Sequence, residues 1–180
     1  MRFIPQPLPG AFLIEPTPFV DERGVFRRNF CAREFAANGI ASHVLQANIS
    51  ENHHALTLRG FHYQKAPHGE GKTLTCLKGR IYDIIVDLRP DSPAYLKWVG
   101  FELDEQNRHS IHIPPGCANA FLTLTDDAIV YYLFSEFYQP GAEGGVRWND
   151  PLFGFQWPET PLHISLKDAS RPDFVPAARA

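Results

Sequence analysis

Thr73-Leu74-Thr75-Cys76-Leu77-Lys78-Gly79-Arg80-Ile81-Tyr82-Asp83-Ile84-Ile85-Val86-Asp87 is the stretch that decides the fold. A short apolar run meets a Lys-Gly turn, and a run rich in β-branched residues follows, ending before Arg89-Pro90. Such residues suit a pleated strand, and Gly supplies the turn conformation at no steric cost. The same grammar repeats outward. Phe12-Leu13-Ile14 is one apolar run, and Ser110-Ile111-His112-Ile113 stops at Pro114-Pro115-Gly116. Phe121 to Leu124 precedes a Thr125-Asp126-Asp127 turn, after which Ile129 to Phe134 resumes. Strands punctuated this often predict an all-β chain, an antiparallel sandwich or barrel. The one good helix candidate is Ala32 to Asn38, with Gly39 as its stop. From about Ser170, Pro172 and Pro176 predict a loosely ordered tail. With no internal repeat, low-complexity tract or linker, residues 1–180 read as one domain.

Composition narrows the function classes. The chain has 180 residues, 44% hydrophobic and 21% charged, which is ordinary for a globular protein. Its net charge of -3 gives no bulk attraction to nucleic acid or to a membrane surface, so any anion binding must be local. Cys31, Cys76 and Cys117 are odd in number and lack metal-type spacing, which fits reduced thiols and a cytoplasmic setting. Pro5, Pro7 and Pro9 interrupt the start where a signal segment would need an apolar run. Nowhere do about 18 apolar residues follow one another, so no membrane helix is expected.

Chemistry concentrates in Arg59-Gly60-Phe61-His62-Tyr63-Gln64 and the following Gly71-Lys72. A histidine can take a proton near neutral pH, a lysine can stabilise an oxyanion and an arginine can grip a phosphate. Those parts suffice to remove a proton next to a ketone on an anionic substrate. A metal-binding cupin is the rival reading of a small barrel with His near Gly. That site needs three or four ligands. Here the partner of His62 is Gln64, the Pro114-Pro115-Gly116 turn leads to Asn119 rather than His, and Glu70 alone makes no site. No metal is therefore expected. His53 and His54 read as a solvated loop pair, and His43, His68, His109, His112 and His163 as single polar positions.

Seven blocks, in order over about residues 1 to 170, resemble the dTDP-4-dehydrorhamnose 3,5-epimerase family. They are Asp21-Glu22-Arg23-Gly24-Val25-Phe26, Arg59 to Gln64, Gly71-Lys72, Lys97-Trp98-Val99-Gly100, Ile113-Pro114-Pro115-Gly116, Glu143 to Pro151, and Ser165-Leu166-Lys167-Asp168. The resemblance implies a cupin-like jelly-roll barrel with a few short helices. It implies a homodimer, no cofactor, and a 4-keto-6-deoxy sugar nucleotide as substrate. In that scheme His62 is the base and Asp168 orients it. Lys72 stabilises the enolate, and Tyr132 returns the proton from the opposite face. Arg23 and Arg59 hold the diphosphate, Tyr138 stacks on the nucleotide base, and Phe26, Arg28, Gln46, Asn48 and Asn119 complete the substrate site. Tyr132 rather than Tyr131 is favoured by counting back from Pro140 and the Gly-Gly block, since a slip of one residue turns the wrong ring inward.

Three positions depart from the family pattern. Arg28 stands where Glu is usual, Asn119 where His is usual, and Leu133 where Lys commonly follows the tyrosine. Exchanging an acceptor for a donor at Arg28 points away from thymine, which offers an N3–H, and toward cytosine, which offers a bare N3, or guanine through O6 and N7. An Arg28 turned to solvent would read nothing. The rival functions are a keto-isomerase or an epimerase of one carbon, which share the first deprotonation. Further afield lie a metal-dependent cupin oxygenase and a non-catalytic sugar-binding module.

Overall fold

A computed structural model describes residues 1–177. The chain opens with β1 (Arg2–Pro5) and β2 (Phe12–Glu15), then a small hairpin, β3 (Phe19–Asp21) and β4 (Gly24–Phe26). Helix α1 (Ala32–Ala37) follows, capped at its end by Asn38. Eight strands come next. They are β5 (Gln46–Asn52), β6 (Thr57–Gln64), β7 (Lys72–Lys78), β8 (Arg80–Asp87), β9 (Trp98–Asp104), β10 (Ser110–Ile113), β11 (Cys117–Thr123) and β12 (Ala128–Phe134). Two short strands, β13 (Glu143–Gly145) and β14 (His163–Ile164), lead to a single turn of helix, α2 (Leu166–Ala169).

Two sheets carry the architecture. One runs β1-β2-β10-β7-β12-β5, and the other β13-β6-β11-β8-β9, with β14 alongside β6. Along both sheet paths the strands pair antiparallel. β14 is the parallel addition. β3 and β4 pair only with each other. This is a cupin-like jelly roll, the class expected from the strand spacing and the resemblance. The Lys78-Gly79 turn joins strands of different sheets and so carries the chain across the barrel. Gly79 has φ +75, which side chains rarely adopt.

Strand alternation sorts the side chains. In β8, Ile81 and Ile85 belong to the core that also takes Leu74, Cys76, Val130 and Phe121 from the neighbouring strands. Ile84 and Val86 point the other way, into a second core under Trp98, Phe155 and Trp157. The second sheet is therefore buried on both faces, which explains why β8 reads as a nearly unbroken apolar run. Asp83 falls between Ile81 and Ile85 and is sent inward with them. A third cluster, Ile14, Phe35 and Ile40 with Phe3, Phe12 and Phe30 against it, seats α1 on the first sheet.

The tail differs from expectation. Residues 171–177 have no regular structure, yet they are docked. The Phe174 N–H donates to Asp150 at 2.6 Å, its ring meets Phe153 edge-on at 5.5 Å, and the Ala177 N–H donates to the Tyr95 hydroxyl at 2.9 Å. The prolines exclude a helix or a strand but leave Phe174 free to bury. β11 also starts earlier than its apolar run suggested, because Cys117 to Ala120 are small or polar but wholly buried.

β6 carries one extra residue relative to β11. Asn119 pairs with His62 and Phe121 with Arg59, so two steps on β11 face three on β6. Gly60 sits in this bulge with φ +119, and a methyl group there would lie 2.5 Å from the Asn119 carbonyl and 2.7 Å from Ala120. Gly60→Ala is expected to cost about 2–4 kcal/mol of unfolding free energy, from backbone strain plus overpacking. Urea denaturation checks this. An unchanged midpoint would mean that the bulge can shift without penalty.

Candidate active site

The inward faces of both sheets line a cavity of about 1120 Å³. His62 reaches it from β6, Asn119 from β11, Lys72 from β7, Tyr132 from β12, and Gln46 and Asn48 from β5. Asp168 enters from α2. Ser165 caps that helix by accepting from the Asp168 N–H at 3.1 Å, so the cap fixes the point from which the carboxylate projects.

The His62 Nε2 lies 2.7 Å from Asp168 Oδ1, leaving Nδ1 as the ring's second nitrogen. Asp168 is 4% exposed, while the His62 side chain is 46% exposed. The Gly60 N–H points at the other carboxylate oxygen from 3.4 Å. Burial pushes the Asp168 carboxyl up, but the bonds from His62, Gly60 and Ser165 outweigh it and hold it below the usual range. A carboxylate so held fixes the imidazole tautomer and favours the imidazolium once a proton arrives.

Lys72 is buried and crosses from the first sheet to the second. Its ammonium donates to the His62 carbonyl at 2.8 Å and to Asn119 Oδ1 at 3.4 Å, and pairs with Glu70 at 3.1 Å. The Asn119 amide donates in turn to Asp83 at 2.9 Å. Tyr132 lies opposite His62, on the other sheet. Burial pushes its phenol well up, the Asp83 carboxyl adds to this, and Arg59 opposes it, so the hydroxyl keeps its proton at neutral pH. Tyr131, its neighbour, does not line the cavity.

Tyr138 and Arg59 also line the cavity. The Tyr138 hydroxyl donates to Glu143 at 2.8 Å, and Glu143 pairs with Lys167 at 2.6 Å. Arg59 Nε donates to Asn52 at 2.7 Å. Nine of the twelve residues singled out from the sequence thus share one cavity. Three do not. Arg23 pairs with Asp21 at 2.6 Å in the β3–β4 turn, Phe26 is 73% exposed on that hairpin, and Arg28 donates to Glu34 at 3.1 Å.

His112 is buried beside Thr73 at 3.0 Å, and burial pushes its imidazole down to about 4. His53 and His54 are exposed in the loop after β5, and the His54 ring faces that of His163 at 4.9 Å. Gln64 is engaged by its own side-chain amide, which donates to the carbonyls of His68 and Phe137. Among the described residues, no three His, Cys, Asp or Glu side chains are grouped so as to hold a metal ion.

Sequence reasoning missed Asp83, Glu143, Lys167 and Arg171, and weighed Glu70 only as a metal ligand. Asp83 carried a signal, an acid in the middle of an apolar strand. It is fully buried, and its Oδ1 has no hydrogen-bond partner among the described residues. Burial pushes this carboxyl well above its ordinary value, against the bond from Asn119 and the charge of Lys72. The raised value sets the sign of its pH effect. The stability Asp83 contributes is full below the unfolded value of about 3.9 and is lost as pH rises through the folded value. Asp83→Asn keeps the shape without that loss. Its melting temperature should therefore gain on the parent protein as pH rises above the unfolded value of about 3.9, and thermal unfolding over a pH series checks it. A gap independent of pH would mean that Asp83 is ionised throughout.

With this geometry in hand, the chain was compared with known proteins. A family model described as dTDP-4-dehydrorhamnose 3,5-epimerase matches residues 5–175. A dTDP-4-dehydrorhamnose 3,5-epimerase of Methanothermobacter thermautotrophicus is 40% identical over 170 residues, covering 93% of this chain and 91% of that one. The crystal structure of the Bacillus anthracis enzyme of that name, with TDP and PPi bound, superposes with a TM-score of 0.92 at 36% identity, covering 96% and 99% of the two chains. A 3'-monoepimerase from Streptomyces bikiniensis in complex with dTDP-quinovose gives 0.87 at 34%, covering 94% and 86%. By sequence over nearly its whole length and by fold, the chain belongs to the dTDP-4-dehydrorhamnose 3,5-epimerase family, and so to the carbohydrate epimerases of the isomerase class.

Proposed function

We propose that this protein inverts C3 and C5 of a dTDP-linked 4-keto-6-deoxy sugar by removing and returning protons, with no cofactor. One observation carries the reading. A histidine backed by a buried carboxylate and a protonated tyrosine face each other from opposite sheets across one cavity. Inversion needs that arrangement, since the proton must leave by one face of the sugar and return by the other.

In this reading His62 Nδ1 takes the α-hydrogen while Nε2–H stays on Asp168. The C–H electron pair moves into the new double bond, and charge collects on the former ketone oxygen. Lys72 supplies the positive charge that such an enolate needs, in a site already shielded from water. Tyr132 then gives its proton to the carbon from the far side. Before the second round His62 releases its proton to solvent and Tyr132 takes one up, so that two rounds, one at each carbon flanking the ketone, invert both centres. A keto-isomerase or a one-carbon epimerase starts with the same step, so the fate of each hydrogen separates them. Cavity depth and polar lining suit a sugar, and Arg59 and Tyr138 at the cavity wall suit a diphosphate and a base.

The chain works as a homodimer in this scheme. Among the described residues, hairpin β3–β4 pairs with no other strand, and it presents Phe19, Val20 and Phe26 at 67%, 72% and 73% exposure. Apolar side chains so placed favour a second copy, and Arg23 at the hairpin's tip would then meet the partner's cavity. Arg28 bears on the base only by the same route, and its guanidinium is engaged by Glu34. The name dTDP-4-dehydrorhamnose 3,5-epimerase carried by two of these relatives, and the dTDP-quinovose bound to the Streptomyces bikiniensis monoepimerase, support thymidine.

Exchange in deuterated water, followed by NMR at C3 and C5, tests the chemistry. His62→Ala and Asp168→Ala should each lose about 1000-fold or more, and the double variant should be little worse, because the pair acts as one unit. Tyr132→Phe should lose epimer formation more than it loses hydrogen exchange. Full activity in His62→Ala would sink the mechanism.

Calorimetry with dTDP and CDP tests the base. dTDP should bind more tightly by about 5- to 150-fold, the worth of one matched hydrogen bond in a partly dry site. Arg28→Glu should leave that preference unchanged. Tighter binding of CDP, reversed by Arg28→Glu, would make Arg28 the reader of a cytidine base.

A further inference from the structure

Arg171 has no part in the scheme above, yet it lies beside the dyad. Its side chain is 16% exposed, and its Nε stands 3.9 Å from Asp168 Oδ1, the oxygen that His62 uses. That Nε is buried without a hydrogen-bond partner among the described residues. The guanidinium lies against Gly145, where a methyl group would overlap Cζ and Nε. Gly145 pairs with His62 across β13 and β6, so the absent side chain makes room for a cation directly beside the imidazole. The docked tail holds it there. Arg147 donates to the Arg171 carbonyl at 3.0 Å and pairs with Asp173.

The geometry points to Arg171 as a positioning residue of the dyad, one that shares the Asp168 carboxylate with His62 and so weakens the imidazole's hold on its proton. This rests on the reading of His62 as the base. Of the other charges lining the cavity, Arg59 from β6 donates to the neutral Asn52. Glu143 from β13 is matched by Lys167 from α2, and Lys72 from β7 by Glu70. Asp83 from β8 reaches the site through Asn119 as a buried acid. Tyr63, on the opposite face of β6, is held protonated by burial, against the charge of Arg171. Arg171 is the arginine that meets the Asp168 carboxylate, at 3.9 Å from the oxygen His62 uses. A carboxylate alone favours the imidazolium, which cannot act as a base, and a cation on the same oxygen offsets that preference.

The test is the pH profile of α-hydrogen exchange on a dTDP-linked 4-keto-6-deoxyhexose for Arg171→Met and Arg171→Lys, with dTDP affinity measured alongside. Removing a cation strengthens proton binding, so the acid limb in Arg171→Met should move to higher pH by roughly half a unit to one unit. Exchange on the acid side should fall by about 3- to 10-fold, since each unit is a factor of ten in the free base. Arg171→Lys should keep the limb in place, and dTDP should bind both variants about as it binds the parent protein. NMR titration of the His62 ring, assigned by difference against His62→Asn, reads the same upward move without turnover. Should Arg171→Met fail to fold, Arg171→Gln carries the same expectation. An unmoved limb and ring titration overturn the proposal. So does a tenfold loss of dTDP affinity with the limb unmoved, which would make Arg171 a substrate contact. Full exchange in His62→Ala would instead remove the base reading, and the ring titration would still decide what Arg171 does.

Discussion

Strict alternation along β6 would send Arg59 and His62 to opposite faces of their sheet, because they are three residues apart. The extra residue at Gly60 cancels that parity. Both side chains then face the cavity, while Phe61 between them packs into the outer core against Phe155 at 4.3 Å. The same bulge frees the Gly60 N–H from the ladder and aims it at Asp168. One conformational constraint thus sets the direction of the proposed base, the direction of a proposed phosphate ligand, and one donor to the buried carboxylate. A side chain at position 60 would collide with β11, so the constraint is steric before it is electronic.

The sequence made the strands legible wherever a strand was apolar and ended in Gly or Pro. β8 and β10 were read to the residue for that reason. β11 was read short, since burial there is carried by Ala, Cys and Asn, which have no β signature. The tail was misread because Pro172 and Pro176 report on regular structure and say nothing about docking. Within the site, His62, Lys72 and Asp168, each in a quoted motif, share one cavity, while Arg23 and Phe26, also in a motif, lie outside it on the β3–β4 hairpin. Asp83 and Arg171 were not legible, because each is a charge whose meaning depends on what the barrel places beside it. The bulge was not legible either. Gly60 could mark a turn, a close approach or a bulge, and only the pairing partner separates these.

Electrostatics inside the cavity follows one rule. Every buried or half-buried carboxylate there has a donor of its own. Asp168 has His62, Glu70 has Lys72, and Asp83 has Asn119. Nearer the rim, Glu143 has Lys167 and Tyr138. Lys72 has its three donors taken by Glu70, the His62 carbonyl and Asn119, so an enolate reaching it must draw one donor away. Asn119 is the weakest of the three, at 3.4 Å and uncharged. The departure from the family's His at this position therefore bears on the lysine as much as on the sugar. An amide accepts from an ammonium without carrying a proton of its own that pH could remove.

Two-sheet closure is what lets so short a chain place acid and base on opposite sides of a substrate. A single sheet offers neighbouring side chains about 5 Å apart on one face, which would put both groups on the same side of a sugar ring. Sheets packed face to face stand about 10 Å apart, room enough for a pyranose between them. Here the first sheet contributes Tyr132 and the second His62, and Lys72 and Arg59 reach from one to the other. Burial on both faces of the second sheet makes that wall rigid, with two indole N–H groups satisfied by the carbonyls of Phe153 and Trp148. The first sheet is backed only at one end, by α1. The other end leaves Ile49 of the edge strand β5 61% exposed, and β3–β4 stands free beyond the sheets. The side of the barrel that carries the proposed proton donor is therefore the side left unfinished, and a second copy docking there would complete the wall opposite the base.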